Sequence, residues 1–291
     1  MDVAAQTVWG SIVTGALYAL VGVGFVLLYR SSKVLSFCQG GFMLLGAFIF
    51  YDLVTYEQLN WILAAAIVAV VVGAFSALMY VGLFSRTASG APFVTSVATI
   101  GLAGVLQAAV SIKYGTSALP IGDVVSGYHT KIAGATITAA DLAALALPLL
   151  VFLGLALLLK RSRLGLQMNA VADNPALSVH LGVSAARIAT IAWALAGFTA
   201  ALAGVAFALR FSVDPSGVAN VGLYAFPAII IGGLDSISGA VFGGFVLGFL
   251  QITTTTVLGA DWVTIVIFGV LLLFLMFRPT GLFGKAEVVR L

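Results

Sequence analysis

Charged residues are so sparse in this chain that they leave nine long uncharged windows, at residues 3–29, 34–51, 58–85, 87–112, 142–159, 188–209, 215–234, 236–260 and 262–277. A helix that crosses the apolar core of a bilayer needs ~20 mainly apolar residues. Most windows meet that length, and the shorter ones borrow flanking residues or form partial helices. Lipid offers backbone groups no hydrogen-bond partner, so a closed helical bundle is the natural solution. The strand-like alternation of outer-membrane barrels is absent. The pattern predicts an all-α, polytopic membrane bundle of about eight to nine membrane segments, within one transmembrane domain covering 1–291. Pro227 removes a backbone donor in the seventh window, so 221–233 is expected to be short or broken.

One polar stretch interrupts this pattern. Residues 160–187 read KRSRLGLQMNAVADNPALSVHLGVSAAR, between apolar runs of membrane grade. Asn174 can cap a helix that begins at Pro175, and Gly182 can end it, which predicts a short helix over 175–181. Residues 164–173 suit a further helical turn or two before that cap. A loop needs no such punctuation merely to reverse direction. This ordered, basic double helix is best read as a docking surface for a soluble partner.

The charges also orient the chain. If the first window runs from outside to inside, Arg30, Lys33, Arg86, Lys160, Arg161, Arg163, Arg187, Arg278, Lys285 and Arg290 fall on the cytoplasmic side. Only Lys113, Lys131 and Arg210 fall outside. The opposite orientation would break the positive-inside tendency, so the N-terminus is expected outside and the C-terminus inside. Composition agrees with the membrane class: 62% of residues are hydrophobic and 8% charged. The formal net charge of +3 follows from the flanking pattern and gives no reason to expect nucleic acid as a partner.

Candidate chemistry is thin. The N-terminus lacks the basic region and cleavage motif of a signal peptide, so the first window reads as the first membrane helix. Cys38 is the single cysteine, which excludes an intrachain disulfide. His129 and His180 have no partner at ligand spacing, and no catalytic or metal set stands out. The phosphate-binding pattern GxxxxGK[ST] is absent; GLFGKA at 281–286 lacks the first-glycine spacing and the hydroxyl. ATP, if used, is expected on a partner. Asp235 reads as a charge at the turn between two segments, with a proton or sodium relay as the sharper alternative. Gly239/Gly243 and Gly244/Gly248 are small residues four apart, a spacing that lets helices approach closely. Adjacent glycines also suit broken helices that line a cavity.

Five stretches resemble one family. They are VLSFCQGGFMLLGAF (34–48), SVATIGLAGVLQA (96–108), GLQMNAVADNPALSVHLGVSAARI (165–188), AFPAIIIGGLDSISGAVFGGFVLGFLQ (225–251) and FRPTGLFG (277–284). In order and spacing they are similar to the permeases of high-affinity branched-chain amino acid ABC transporters, and in length to the shorter of that system's two permease types. The resemblance implies a bacterial inner-membrane importer subunit with no ATP site or cofactor of its own. It implies a second permease, two ATPase subunits that carry the ATP, and a periplasmic binding protein that delivers the ligand. It assigns 160–187 to ATPase coupling through Gly165, Asp173, Asn174, Pro175, Ala176, Leu177 and Gly182. The candidate translocation pathway comprises Phe37, Gln39, Gly40, Thr99, Gly232 and Gly233. The chain departs from the family pattern at Asn169, where arginine is common, and at Ser36, Cys38, Gly41 and Asp235. Expected cargo is a small apolar amino acid such as leucine, isoleucine or valine. Urea, short amides or another small solute are the nearest alternative, and an ion-coupled carrier a more distant one.

Overall fold

The computed structural model describes all residues except 1–2, 89–91, 123, 126–128, 133 and 285–291, so Asp123, Lys285 and Arg290 lie outside the described residues. The side chains of residues 88, 92, 129, 132, 175 and 176 are likewise outside them. The helices are α1 (Val3–Ser32), α2 (Gln39–Thr55), α3 (Trp61–Met79), α4 (Ser85–Ala88), α5 (Pro92–Tyr114), α6 (Ala139–Arg161), α7 (Arg163–Asp173), α8 (Pro175–His180), α9 (Ala185–Arg210), α10 (Pro215–Gly232), α11 (Ile237–Val257) and α12 (Val263–Phe277). A π-helical turn, Tyr80–Phe84, joins α3 to α4, and a short hairpin pairs β1 (His129–Ile132) with β2 (Ala135–Thr138). Eight of these helical segments are long and apolar enough to cross a membrane, and α2 is a shorter apolar helix of 17 residues. Each uncharged window therefore holds one apolar helix among the described residues.

Helix α1 is the axis of the bundle, with α9, α10, α11 and α6 packed around it. Its contact with α11 depends on small side chains. A Cβ on Gly244 would collide with the backbone of Ala19, and one on Gly248 with the backbone of Gly15. Without a hydrophobic driving force between helices in lipid, such close approach and its van der Waals contact hold the pair together. Helix α11 carries a second small face. Gly239 and Gly243 lie against the carbonyls of Gly232 and Ala228 on α10. The sequence pairs Gly239/Gly243 and Gly244/Gly248 thus serve different neighbours.

Polar ties close both ends. At one end Lys113 on α5 lies 2.7 Å from Asp52 on α2. At the same end Arg210 on α9 lies 3.4 Å from Asp141, whose carboxylate also completes the capping box at the start of α6. At the other end Arg30 donates to Asn169 Oδ1 at 2.6 Å, tying α1 to α7. Following the helices in alternation, Arg30, Lys33, Arg86, Lys160, Arg161, Arg163, Arg187 and Arg278 sit at this second end, and Lys113, Lys131 and Arg210 at the first.

Helix α10 is short, at 18 residues, and it runs unbroken through Pro227. Proline's fixed φ fits a helix, and the missing donor leaves one carbonyl bond unmade, so the interruption expected within 221–233 falls instead just after it. Gly233 ends the helix at φ 110°, a conformation that excludes side chains with a Cβ at little cost. The carbonyls it frees are capped from a distance: Leu282 N donates to Ile231 O at 2.9 Å and Phe283 N to Gly232 O at 3.0 Å. The FRPTGLFG stretch is therefore the cap of α10, and Asp235 sits in the adjoining turn before α11.

The packing predicts unequal glycines. Gly248→Leu should cost more than the ~1–3 kcal/mol typical of overpacking, because backbone rather than side chain must move. Gly104→Leu, with open space around its Cα, should be neutral or slightly stabilising. Thermal melts of the detergent-solubilised permease would measure this, and equal melting of the Gly248→Leu variant and the wild type would refute the packing.

Candidate functional site

The connection between α1 and α2 does not stay at the membrane edge. Gln39, the first residue of α2, packs its amide against Gly24 of α1, eight residues before that helix ends at Ser32. At 1.5 Å per residue the chain has re-entered the bundle by about 12 Å before α2 begins. Residues 33–38 are thus non-helical backbone turned into the bundle, an arrangement that a membrane protein tolerates only inside protein or beside a cavity. Val34, Ser36 and Cys38 are fully enclosed. Thr99 on α5 holds this connection twice: its Oγ1 accepts from Phe37 N at 2.9 Å, and its carbonyl accepts from Cys38 Sγ at 3.0 Å.

A cleft of about 480 Å³ lies beside this re-entrant turn, between α2, α5 and α10. Its walls include Phe25, Phe37, Leu44, Ile100 and Leu223, with Gly40, Gly41, Ala103, Ala219 and Gly222 giving it width. The Phe226 ring stands 5.2 Å from that of Phe37 and 6.4 Å from that of Phe25, forming an aromatic cluster at one end. The polar members are Gln107, Ser216 and Asn220. Among the described residues no ionisable side chain lines it.

Of the pathway candidates read from sequence, Phe37 and Gly40 line the cleft. Thr99 is fully buried behind it and fixes Phe37. Gln39 is also fully buried, pointing toward α1 and α9. Gly232 and Gly233 stand elsewhere, packed against Gly239 and Gly284 at the end of α10. Gln107, Ser216 and Asn220 are additions from the structure. Their signal in the sequence is slight: Ser216 and Asn220 are polar residues four apart in an apolar window.

The polar stretch 160–187 forms two helices at the basic end. Ser162 caps α7 by accepting from Gly165 N at 3.2 Å, and the Leu159 backbone fills the place a Cβ on Gly165 would take. Asn174 ends α7 and starts α8, its Oδ1 accepting from Leu177 N at 2.9 Å. Gly182, at φ 79°, closes the segment. The sequence reading located this helix to within one residue of its end. Met168 and Val171 pack inward, whereas Leu166 (72% exposed), Leu177 (55%) and Leu181 (71%) face outward beside the exposed Asp173. Asn169 is exposed and accepts from Arg30.

A sequence profile described as "Branched-chain amino acid transport system / permease component" matches residues 8–276. The high-affinity branched-chain amino acid transport system permease protein BraD of Pseudomonas aeruginosa is 28% identical, over 97% of this chain and 96% of its own length. The corresponding LivH protein of Escherichia coli is 25% identical, again over 97% of this chain and 96% of the relative. Among solved structures, PsaBC from Streptococcus pneumoniae in complex with Fab superposes with a TM-score of 0.52 over 97% of this chain and 94% of that one. At 13% sequence identity, it shows the fold alone.

Losing the Thr99 hydroxyl should loosen the re-entrant turn. Thr99→Val deletes one acceptor, worth about 1 kcal/mol, and about 1 kcal/mol is a fivefold change in the population of opened states. The lone thiol reports this directly, since Cys38 is fully buried. Modification by N-ethylmaleimide in membranes should run about fivefold faster in Thr99→Val. An unchanged rate would mean that the hydroxyl does not hold the turn.

Proposed function

This chain belongs to the branched-chain amino acid transport permease family, and from that membership we propose that it is the membrane permease subunit of an ATP-driven importer that translocates branched-chain amino acids. The observation that carries the reading is the uncharged cleft at membrane depth. It has an apolar wall for a hydrocarbon side chain and neutral hydrogen-bonding groups for a polar end. A proton relay would call for ionisable groups there. Among the described residues the lining has none, which favours an energy source outside the membrane over proton coupling.

The subunit carries no ATP site or cofactor in this reading. Two ATPase subunits hold the nucleotide, a second permease faces the cleft, and a binding protein delivers ligand from the periplasm. The protein is a multi-pass component of the bacterial inner membrane. Its N-terminus faces the periplasm and its C-terminus the cytoplasm, following the clustering of basic residues at one end. Helices α7 and α8 are the coupling segment: Gly165, Asn174, Pro175 and Gly182 shape it, and Asp173, Ala176 and Leu177 meet the ATPase. Two apolar side chains exposed on a short, capped helix outside the bilayer suit such a contact.

Two measurements test this. In a Cys38→Ala background, an impermeant thiol reagent should label Ser117→Cys in intact cells and Arg161→Cys only after permeabilisation; the reverse would overturn the orientation. The double change Asp173→Arg with Leu177→Arg adds positive charge to a basic surface and removes an apolar knob. It should leave the permease inserted and cut ATPase co-purification and uptake by at least about tenfold, a loss of ~1.4 kcal/mol in docking. Normal co-purification together with normal uptake would remove the coupling assignment.

A further inference from the structure

The cleft face of α10 holds an arrangement that lipid does not tolerate. Ser216 and Asn220 are one helical turn apart, and both are solvent-exposed in the isolated chain. They share a face with Ala219 and Leu223, all lining the cleft. Gly222 meets Gly40 at the start of α2, so the Gly222 end of this face lies within the bundle, and Ser216 stands toward the opposite end as the second residue of α10. Across the cleft Gln107 projects from α5. An unpaired amide facing hydrocarbon is costly, so this stripe must meet water, a solute or a polar partner.

We propose that Gln107, Ser216 and Asn220 are the polar contacts for the transported solute, and that Phe37, Leu44 and Ile100 receive its apolar part. The inference rests on the importer reading and adds the solute's charge class and the residues that select it. A primary amide is the neutral side chain that presents both strong donors and a strong acceptor. Two amides and a hydroxyl therefore match an ammonium and a carboxylate held side by side, without any ionised partner. The absence of an ionisable group in the lining selects against solutes of net charge, whose desolvation nothing in the cleft would offset. The volume of about 480 Å³ lies in the range of small-molecule sites, roughly 300–1,000 Å³. A zwitterion with an apolar side chain uses all three features.

The test uses the complete transporter in proteoliposomes, with partner permease, ATPases and binding protein. Asn220→Leu and Gln107→Leu keep approximate size and remove hydrogen bonding. Each should co-purify with its partners and lose leucine uptake at least about tenfold. Asn220→Gln should restore part of the loss, which a purely steric role would not do. Ile100→Trp narrows the apolar wall and should raise the ratio of alanine to leucine uptake about threefold or more. Leucine uptake within twofold of wild type in both leucine variants would overturn the proposal. Loss of subunit co-purification in both would overturn it as well, by making the stripe a contact between permeases; an unchanged alanine-to-leucine ratio in Ile100→Trp would overturn the apolar assignment. Failure of the parent reading looks different: a wild-type complex that takes up urea and no leucine removes the branched-chain assignment, and the same variants assayed with urea then decide the role of the stripe.

Discussion

Hydrocarbon cannot accept or donate a hydrogen bond, and the turn at 33–38 is non-helical backbone enclosed within the bundle. Its solution shapes the surroundings. The turn is enclosed by α1, α5 and α10, and Thr99 supplies a hydroxyl and a carbonyl to it from α5. Because α2 starts so deep, it needs only 17 residues to reach the opposite end. Because α5 must stay close enough to hold Phe37 and Cys38, it stands beside α2 and forms one wall of the cleft. The aromatic cluster of Phe25, Phe37 and Phe226 then lies at the base of that space. One unpaired stretch of backbone thus fixes three helices and the site among them.

The glycines complete the arrangement by letting the helices come close in specific directions. Where Gly244 and Gly248 face α1, and Gly239 and Gly243 face α10, a side chain would force the pairs apart. Where Gly40 meets Gly222, the contact pins α2 to α10 at the edge of the cleft. Close packing and the open volume are parts of one design, since rigid contacts on either side keep the cleft from collapsing. Interiors this well filled respond to load by shifting between discrete packings rather than by bending.

The membrane helices were legible because charge in lipid is costly, so the uncharged windows and the helices coincide. The docking segment was legible because caps are local: Asn174, Pro175 and Gly182 announce a helix within a few residues of themselves. The cleft was only partly legible. Phe37 and Gly40 stand out beside adjacent glycines, whereas Gln107, Ser216 and Asn220 are uncharged and carry no local signal of a site. Their meaning depends on facing one another across α5 and α10, a relation between positions more than 100 residues apart that no local pattern carries. Asn169 shows the same limit. It stands out in the sequence only as a departure from the family pattern, while in the structure it is the exposed acceptor for Arg30 of α1.

The contact between Arg30 and Asn169 bears on how work would reach the cleft. In the importer reading force arrives mechanically at α7 and α8. Two features make that segment stiff against the bundle. Gly165 lets α7 turn tightly onto the end of α6, with no room for a side chain between them. The Arg30–Asn169 bond joins α7 to the last turns of α1. Helix α1 is the central and longest helix, and its residues lead directly into the re-entrant turn that carries Phe37. A displacement of α7 would therefore be felt first by the non-helical turn at 33–38, where a small shift changes the aromatic base of the cleft. The tie at Arg30 and the tie at Thr99 bracket that segment, one on the docking side and one on the cleft side. Weakening either should uncouple motion from opening without disturbing the packed core around α1, α9 and α11.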